Sequence, residues 1–257
     1  MSAEPQTAEP LAANMEARLR DHLPLSPRPE SDFRWRGLEV SRMEGFTDAV
    51  FGFAVTLLAL ALEVPTSFNG LLDVVRGLPA FIICFTLLML FWNAHYRFHR
   101  RYGLDDAFSR VITMAMLVLV LFLVYPLKFL FTMLTVRLFG LDMANAPTLD
   151  AGWQVQWLYV IYGLSFAGAW AFYAVLYAHA WRRRAELGLD PVEMCYTRSA
   201  VMEYVIHVSV CLLSVILALT TANNWLPGTI YFLVGPLQGL NGWWYGRQIR
   251  ALKKAPG

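Results

Sequence analysis

The chain has 257 residues, of which 57% are hydrophobic and only 16% charged. A soluble domain ordinarily carries about a quarter charged residues, so the composition excludes an ordinary water-soluble enzyme and indicates an all-α, polytopic membrane protein. The formal net charge of +2 gives no reason to invoke nucleic acid as a partner.

Residues 1–40 contain several Pro, Glu and Arg and no apolar core. The basic start, apolar run and small-residue cleavage site of a signal peptide are not expected there. This segment reads as a solvated cytoplasmic tail, partly disordered. Six apolar runs follow, at about 46–64, 77–96, 111–131, 154–179, 200–220 and 226–245, each near the roughly 20 residues a helix needs to cross a bilayer. They define a six-helix membrane domain over 41–250, with a short cytoplasmic tail at 251–257. Pro236 is placed to kink the sixth span.

Basic residues fix the orientation, because loops rich in Lys and Arg stay on the cytoplasmic side. Eighteen of the 21 lie in the N-terminal segment, the second and fourth connections and the C-terminus. The other three connections hold only Arg76, Lys128 and Arg137. Both termini are therefore expected in the cytoplasm. Trp153, Trp157, Trp225, Trp243 and Trp244 stand near helix ends, where amphipathic rings favour the interface. The three cysteines, Cys84, Cys195 and Cys211, lack a CxxC spacing and predict neither a disulfide framework nor a thiolate metal site. No metal or cofactor is expected.

The first span has two special properties. At 100° per residue, Gly45, Ala49, Gly52, Thr56 and Ala59 form one narrow stripe, a pattern that lets helix backbones approach closely in lipid. Phe53, Leu57 and Leu60 form an adjoining apolar face that shares Thr56. This suits either an ordinary buried helix or a pore-lining helix with an apolar constriction, and periodicity does not choose. The second property is Asp48, an ionisable residue near the cytoplasmic end of the span, which must face protein or water and find a partner. The second span offers Trp92, Asn93 and His95 at matching depth, and Trp92 Nε1–H and the His95 ring can both donate to a carboxylate. The expected arrangement is a buried polar knot of Asp48, Thr47, His95 and Trp92, with Arg42 at its edge.

"RMEGFTDAVF" has the form Arg-x-x-x-Phe-Ser/Thr-Asp-x-x-Phe, supplied by Arg42, Phe46, Thr47, Asp48 and Phe51. It resembles the first-helix signature of the transmembrane protein 175 potassium channels. "FWNAH" resembles that family's second-helix pattern of a Trp followed three residues later by a His. The resemblance implies a potassium-permeable channel in the plasma membrane of a prokaryote, with K+ as permeant ion. It also implies a homotetramer of single six-helix repeats and a hydrophobic gate on the first helices. By motif offset the pore positions are Phe53, Thr56 and Leu60, with Leu57 beside them; the family usually has Ile or Leu where Phe53 stands.

The rival readings are a secondary transporter or proton-coupled carrier, and an intramembrane enzyme or haem protein. Glu203 and His207, one turn apart in the fifth span, could relay protons, although such a pair is more often a packing contact. His95 and His99 have a spacing compatible with metal, but Arg97, Arg100 and Arg101 surround them and disfavour a bound cation. No HExxH, GxSxG or phosphate-loop motif occurs, so no enzyme is expected.

Overall fold

The computed structural model describes residues 33–254, apart from residues 63, 144–145, 150–151 and 222. Residues 1–32 of the expected tail and 255–257 at the C-terminus lie outside the described residues. Among those described the molecule is helical and has no strand. In chain order the helices are α1 (Arg42–Leu60), α2 (Phe68–Arg76), α3 (Leu78–Tyr102), α4 (Ala107–Phe139), α5 (Gly152–Arg182), α6 (Pro191–Thr220), α7 (Leu226–Thr229) and, after a 3-10 turn over Ile230–Leu233, α8 (Val234–Lys254).

Five of these, α1, α3, α4, α5 and α6, are long and apolar enough to cross a membrane. The expected run at 226–245 is divided among α7, the 3-10 turn and α8. Pro236 sits in the first turn of α8, where its missing N–H costs nothing, and the interruption of this run falls at the 3-10 turn just before it. The Gly, Asn, Gln and basic residues of α8 leave it short of the apolar character of the other five.

The helices overrun the apolar windows because polar caps extend them. Ser41 and Glu44 form a capping box: Ser41 Oγ accepts from the Glu44 N–H at 3.1 Å, and Glu44 Oε2 accepts from the Ser41 N–H at 3.0 Å. Asp190 and Glu193 repeat the device and start α6 well before residue 200. Asp106 caps α4 by accepting from the Ser109 N–H at 2.8 Å. α2 is a short connection helix capped by Ser67, with no buried residue, in the stretch expected only to separate two spans.

α5 and α6 form the most extensive helix pair. Gly163 permits the contact: a Cβ there would meet Val215 Cγ2 at 2.5 Å and the Cys211 carbonyl oxygen at 3.3 Å. An aromatic cluster fills the centre of the bundle. Phe91 lies 4.8 Å from Trp170, and Tyr204 lies 5.4 Å from Tyr173 and 5.2 Å from Tyr177, between ring centroids. The Tyr173 hydroxyl donates to the Phe91 carbonyl at 2.5 Å, which satisfies a polar group that is wholly buried.

Most of the arginines share one end of the molecule. There the start of α1, the end of α3, the start of α4, the end of α5 and the start of α6 come together. At the other end the Lys128 ammonium donates to the Ala61 carbonyl, Arg76 donates to the Asp142 carbonyl at 2.6 Å, and Tyr159 donates to the Asn224 carbonyl at 3.1 Å.

Candidate functional site

α1 packs on α3 and α4 through one face only. Met43, Glu44, Thr47, Phe51, Ala54 and Leu58 are buried. The opposite face is open: Phe46, Phe53 and Leu60 are 56%, 55% and 72% exposed. Gly45, Ala49, Gly52, Thr56 and Ala59 are exposed beside them, and Leu57 is half-buried. A Cβ added at Gly45 or Gly52 would meet nothing within 4 Å. Among the described residues, the stripe of small residues therefore approaches no other helix. The Thr56 hydroxyl donates to the Gly52 carbonyl of its own helix at 3.0 Å, a common way for a hydroxyl to be satisfied inside a helix.

At the root of this helix, Trp92 Nε1 donates to Asp48 Oδ1 at 2.7 Å, a charge-assisted length. Asp48 itself is exposed in the single chain. Thr47 and His95 are buried, but Thr47 Oγ1 and His95 Nε2 make no hydrogen bond among the described residues. His95 instead lies against His99, with ring centroids 4.2 Å apart and the rings tilted by 44°. Arg42 is exposed and forms no ion pair among the described residues. Of the expected four-membered knot, the hydrogen bond that forms is the one between Trp92 and Asp48.

A second polar assembly, not expected from the sequence, ties down the segment that leads into α1. Phe33 is buried edge-on against Tyr102, with centroids 5.6 Å apart, and the Arg101 guanidinium lies over its ring at 5.1 Å. Arg36 pairs with Glu193 of α6 at 2.5 Å and donates to the Leu187 and Gly188 carbonyls at 2.8 and 3.1 Å. Glu193 also accepts from the Arg34 N–H at 2.8 Å. The N–H groups of Arg36 and Gly37 both donate to the Arg100 carbonyl, at 3.1 and 3.2 Å. Gly37 is required there, since a Cβ would stand 2.4 Å from the His99 carbonyl oxygen. Residues 33–37 are thus a strap across the ends of α3 and α6, and not part of a solvated tail. The aromatic Phe33 and Trp35 among charged residues were the available signal.

Glu203 and His207 do not form a carboxylate–imidazole relay. His207 Nδ1 lies 2.8 Å from the backbone carbonyl of Glu203, and Gln238 of α8 donates to that carbonyl at 2.8 Å. The group joins α6 to α8 through the backbone. Among the described residues no cluster of three or more His, Cys, Asp or Glu is arranged to hold a metal ion.

A helical bundle with five membrane-length helices, whose first helix leaves a small-residue and aromatic face uncovered, belongs to the class of polytopic membrane proteins. The family model described as endosomal/lysosomal potassium channel TMEM175 matches residues 42–126, which include the first-helix motif and Trp92 and His95. A protein of Marivirga tractuosa described as a potassium channel is 32% identical over 218 residues, covering 80% of this chain and 87% of the relative. The chain belongs to the TMEM175 family of potassium channels. Its fold matches the crystal structure of a variant of the potassium channel MtTMEM175, solved with a Nanobody-MBP fusion protein, with a TM-score of 0.76 at 31% identity, over 84% of this chain and 98% of that one. A TMEM175 homolog from Chamaesiphon minutus shares the fold at a TM-score of 0.52 and 22% identity, over 78% of this chain and 96% of that one.

Proposed function

We propose that four copies of the chain assemble around an axis lined by α1 and pass K+ passively down its gradient. The observation that carries this reading is the open face of α1, which combines close-packing glycines with large apolar side chains that stand exposed among the described residues. In a bilayer the small-residue stripe suits contact with the next copy, and the adjoining ridge then faces the axis. Phe53 and Leu60 set the apolar constriction, Leu57 supports it from the side, and Thr56 places a hydroxyl between the two rings of bulky groups. Narrow apolar rings of this kind gate by dewetting. The hydrogen bond from Trp92 to Asp48 holds the root of α1 against α3, with Arg42, Phe46, Thr47, Phe51 and His95 completing the first-helix setting. The contiguous helical residues 226–254 supply the sixth crossing, so both termini lie on the cytoplasmic side with most of the arginines, in the plasma membrane of a prokaryote.

The test is reconstitution. Liposomes loaded with K+ should release it down its gradient, with valinomycin reporting the total accessible pool. Planar bilayers should show discrete openings. Flux that requires a second ion or substrate, without unitary currents, would replace the channel by a coupled carrier. Within the channel, Phe53→Ser and Leu60→Ser should each raise current or weaken the preference for K+. Unaltered permeation in both variants removes these residues from the path.

A further inference from the structure

The arginine-rich end of the molecule holds a second constellation that permeation does not use. Trp181 lies at the end of α5 and Arg198 in the second turn of α6. The guanidinium carbon of Arg184 stands 5.0 Å from the Trp181 ring centroid, and that of Arg198 stands 5.4 Å from it. One indole therefore gathers two cations from two separate stretches of chain. Arg184 also donates to the Trp181 carbonyl at 3.1 Å, which fixes its side chain. Both arginines are exposed, and neither forms an ion pair among the described residues. The acidic residues between Trp181 and Arg198 are engaged elsewhere: Glu186 with Arg183 at 2.6 Å, Glu193 with Arg36 at 2.5 Å, and Asp190 in the cap of α6. α8, which packs on α6, repeats the pairing with Arg247 over the exposed Trp243 at 4.9 Å.

Orientation alone asks for basic residues near helix ends; it does not ask two of them to converge on one ring. Stacking on an indole holds a guanidinium in place and leaves its N–H edge free, apart from the one Nη1 donor that Arg184 gives the Trp181 carbonyl. That edge matches the paired oxygens of a phosphate. A Trp at the end of a membrane helix sits at headgroup depth, where the available phosphates are those of lipids and the surface attracts basic side chains.

We propose that Trp181, Arg184 and Arg198 form a binding site for the phosphodiester headgroup of an anionic phospholipid, in the leaflet facing the arginine-rich end. The site stands whether or not α1 lines a pore. The indole pre-sets the two guanidinium groups, and the lipid supplies the negative charge that the protein itself withholds from them.

Native mass spectrometry of the detergent-purified full chain, titrated with phosphatidylglycerol or phosphatidylcholine, tests this. The wild type should retain phosphatidylglycerol in preference to phosphatidylcholine. The double variant R184Q/R198Q should bind phosphatidylglycerol roughly 10- to 30-fold more weakly, with phosphatidylcholine binding unchanged. Arg137→Gln, at the opposite end of α4, should behave as wild type. If the double variant does not fold, the Lys pair R184K/R198K keeps the charge but loses the planar edge, and should bind with intermediate affinity. Equal retention of the two lipids by the wild type, or of phosphatidylglycerol by the wild type and the folded variants, overturns the site. Displacement of the lipid by millimolar inorganic phosphate also overturns it, in favour of a free-anion site.

Discussion

A carboxylate near the root of a membrane helix is tolerated only with a donor at hand, and Trp92 is that donor for Asp48. Trp92→Phe keeps the ring volume and removes the N–H. It should lower the melting temperature by an amount equivalent to about 1 kcal/mol, measured by differential scanning fluorimetry. Asp48→Ala should disturb assembly or gating more than selectivity, measured as the fraction of fourfold species and as open probability against the K+/Na+ ratio. A second carboxylate, Asp106, predicts a pH effect. It caps α4 and also meets His179 and Arg183, each at 2.7 Å. Burial pushes this carboxyl up, but the Ser109 N–H and the His179 ring outweigh burial and hold it well below its ordinary value of 3.8. Its contribution to stability is therefore fully present above that ordinary value and is lost as pH falls below it toward the depressed folded value. Asp106→Ala should cost about 1 kcal/mol near neutrality. The gap from wild type should narrow in melts taken at pH values below 3.8. The donor role of Trp92 was legible from sequence because depth along a helix can be counted from residue number. The orientation of His95 toward His99 was not, because which neighbour a ring meets depends on rotamer and helix rotation.

Five spans were legible as apolar runs, and their true ends were written in polar residues. The Ser-x-x-Glu of residues 41–44 and the Asp-Pro-x-Glu of residues 190–193 are helix starts that an apolar window passes over. The strap at residues 33–37 was harder to see, since its partners lie far away in sequence: Arg36 reaches Glu193, and no local pattern announces such a pair. Glu193→Ala would leave Arg36, whose side chain is only 13% exposed, without its counter-charge. The expected loss is about 3 kcal/mol, seen as faster hydrogen exchange at the amides of Arg34, Arg36 and Gly37. Unchanged protection would separate the strap from this ion pair. The α5–α6 contact carries its own test. Gly163→Leu drives a side chain into Val215 and should destabilise the bundle by roughly 1–3 kcal/mol, again read by thermal melting.

For the whole molecule, the informative residues are those whose side-chain positions meet no other described residue. Gly45 and Gly52 have open space in the single chain, so a large side chain there strains no contact within it. Gly52→Trp should therefore preserve the helical content of the protomer while reducing the fourfold species in crosslinking or mass photometry. Retention of that species with the bulky side chain in place would move the subunit interface away from α1. Folding of the chain uses one face of α1 and leaves the other open, which is why periodicity in the first span left two readings open. The arrangement of copies around an axis is a property of the partner surface, and one sequence contains only half of each contact.

Thr56 carries a further consequence for any ion that reaches it. Its hydrogen is committed to the Gly52 carbonyl, so what the side chain can turn outward is lone-pair density. Four such oxygens around an axis would welcome a partly dehydrated cation and offer nothing to a halide. Discrimination by sign of charge then needs no fixed carboxylate at the narrowest point. Exchanging chloride for gluconate should leave the reversal potential where it was.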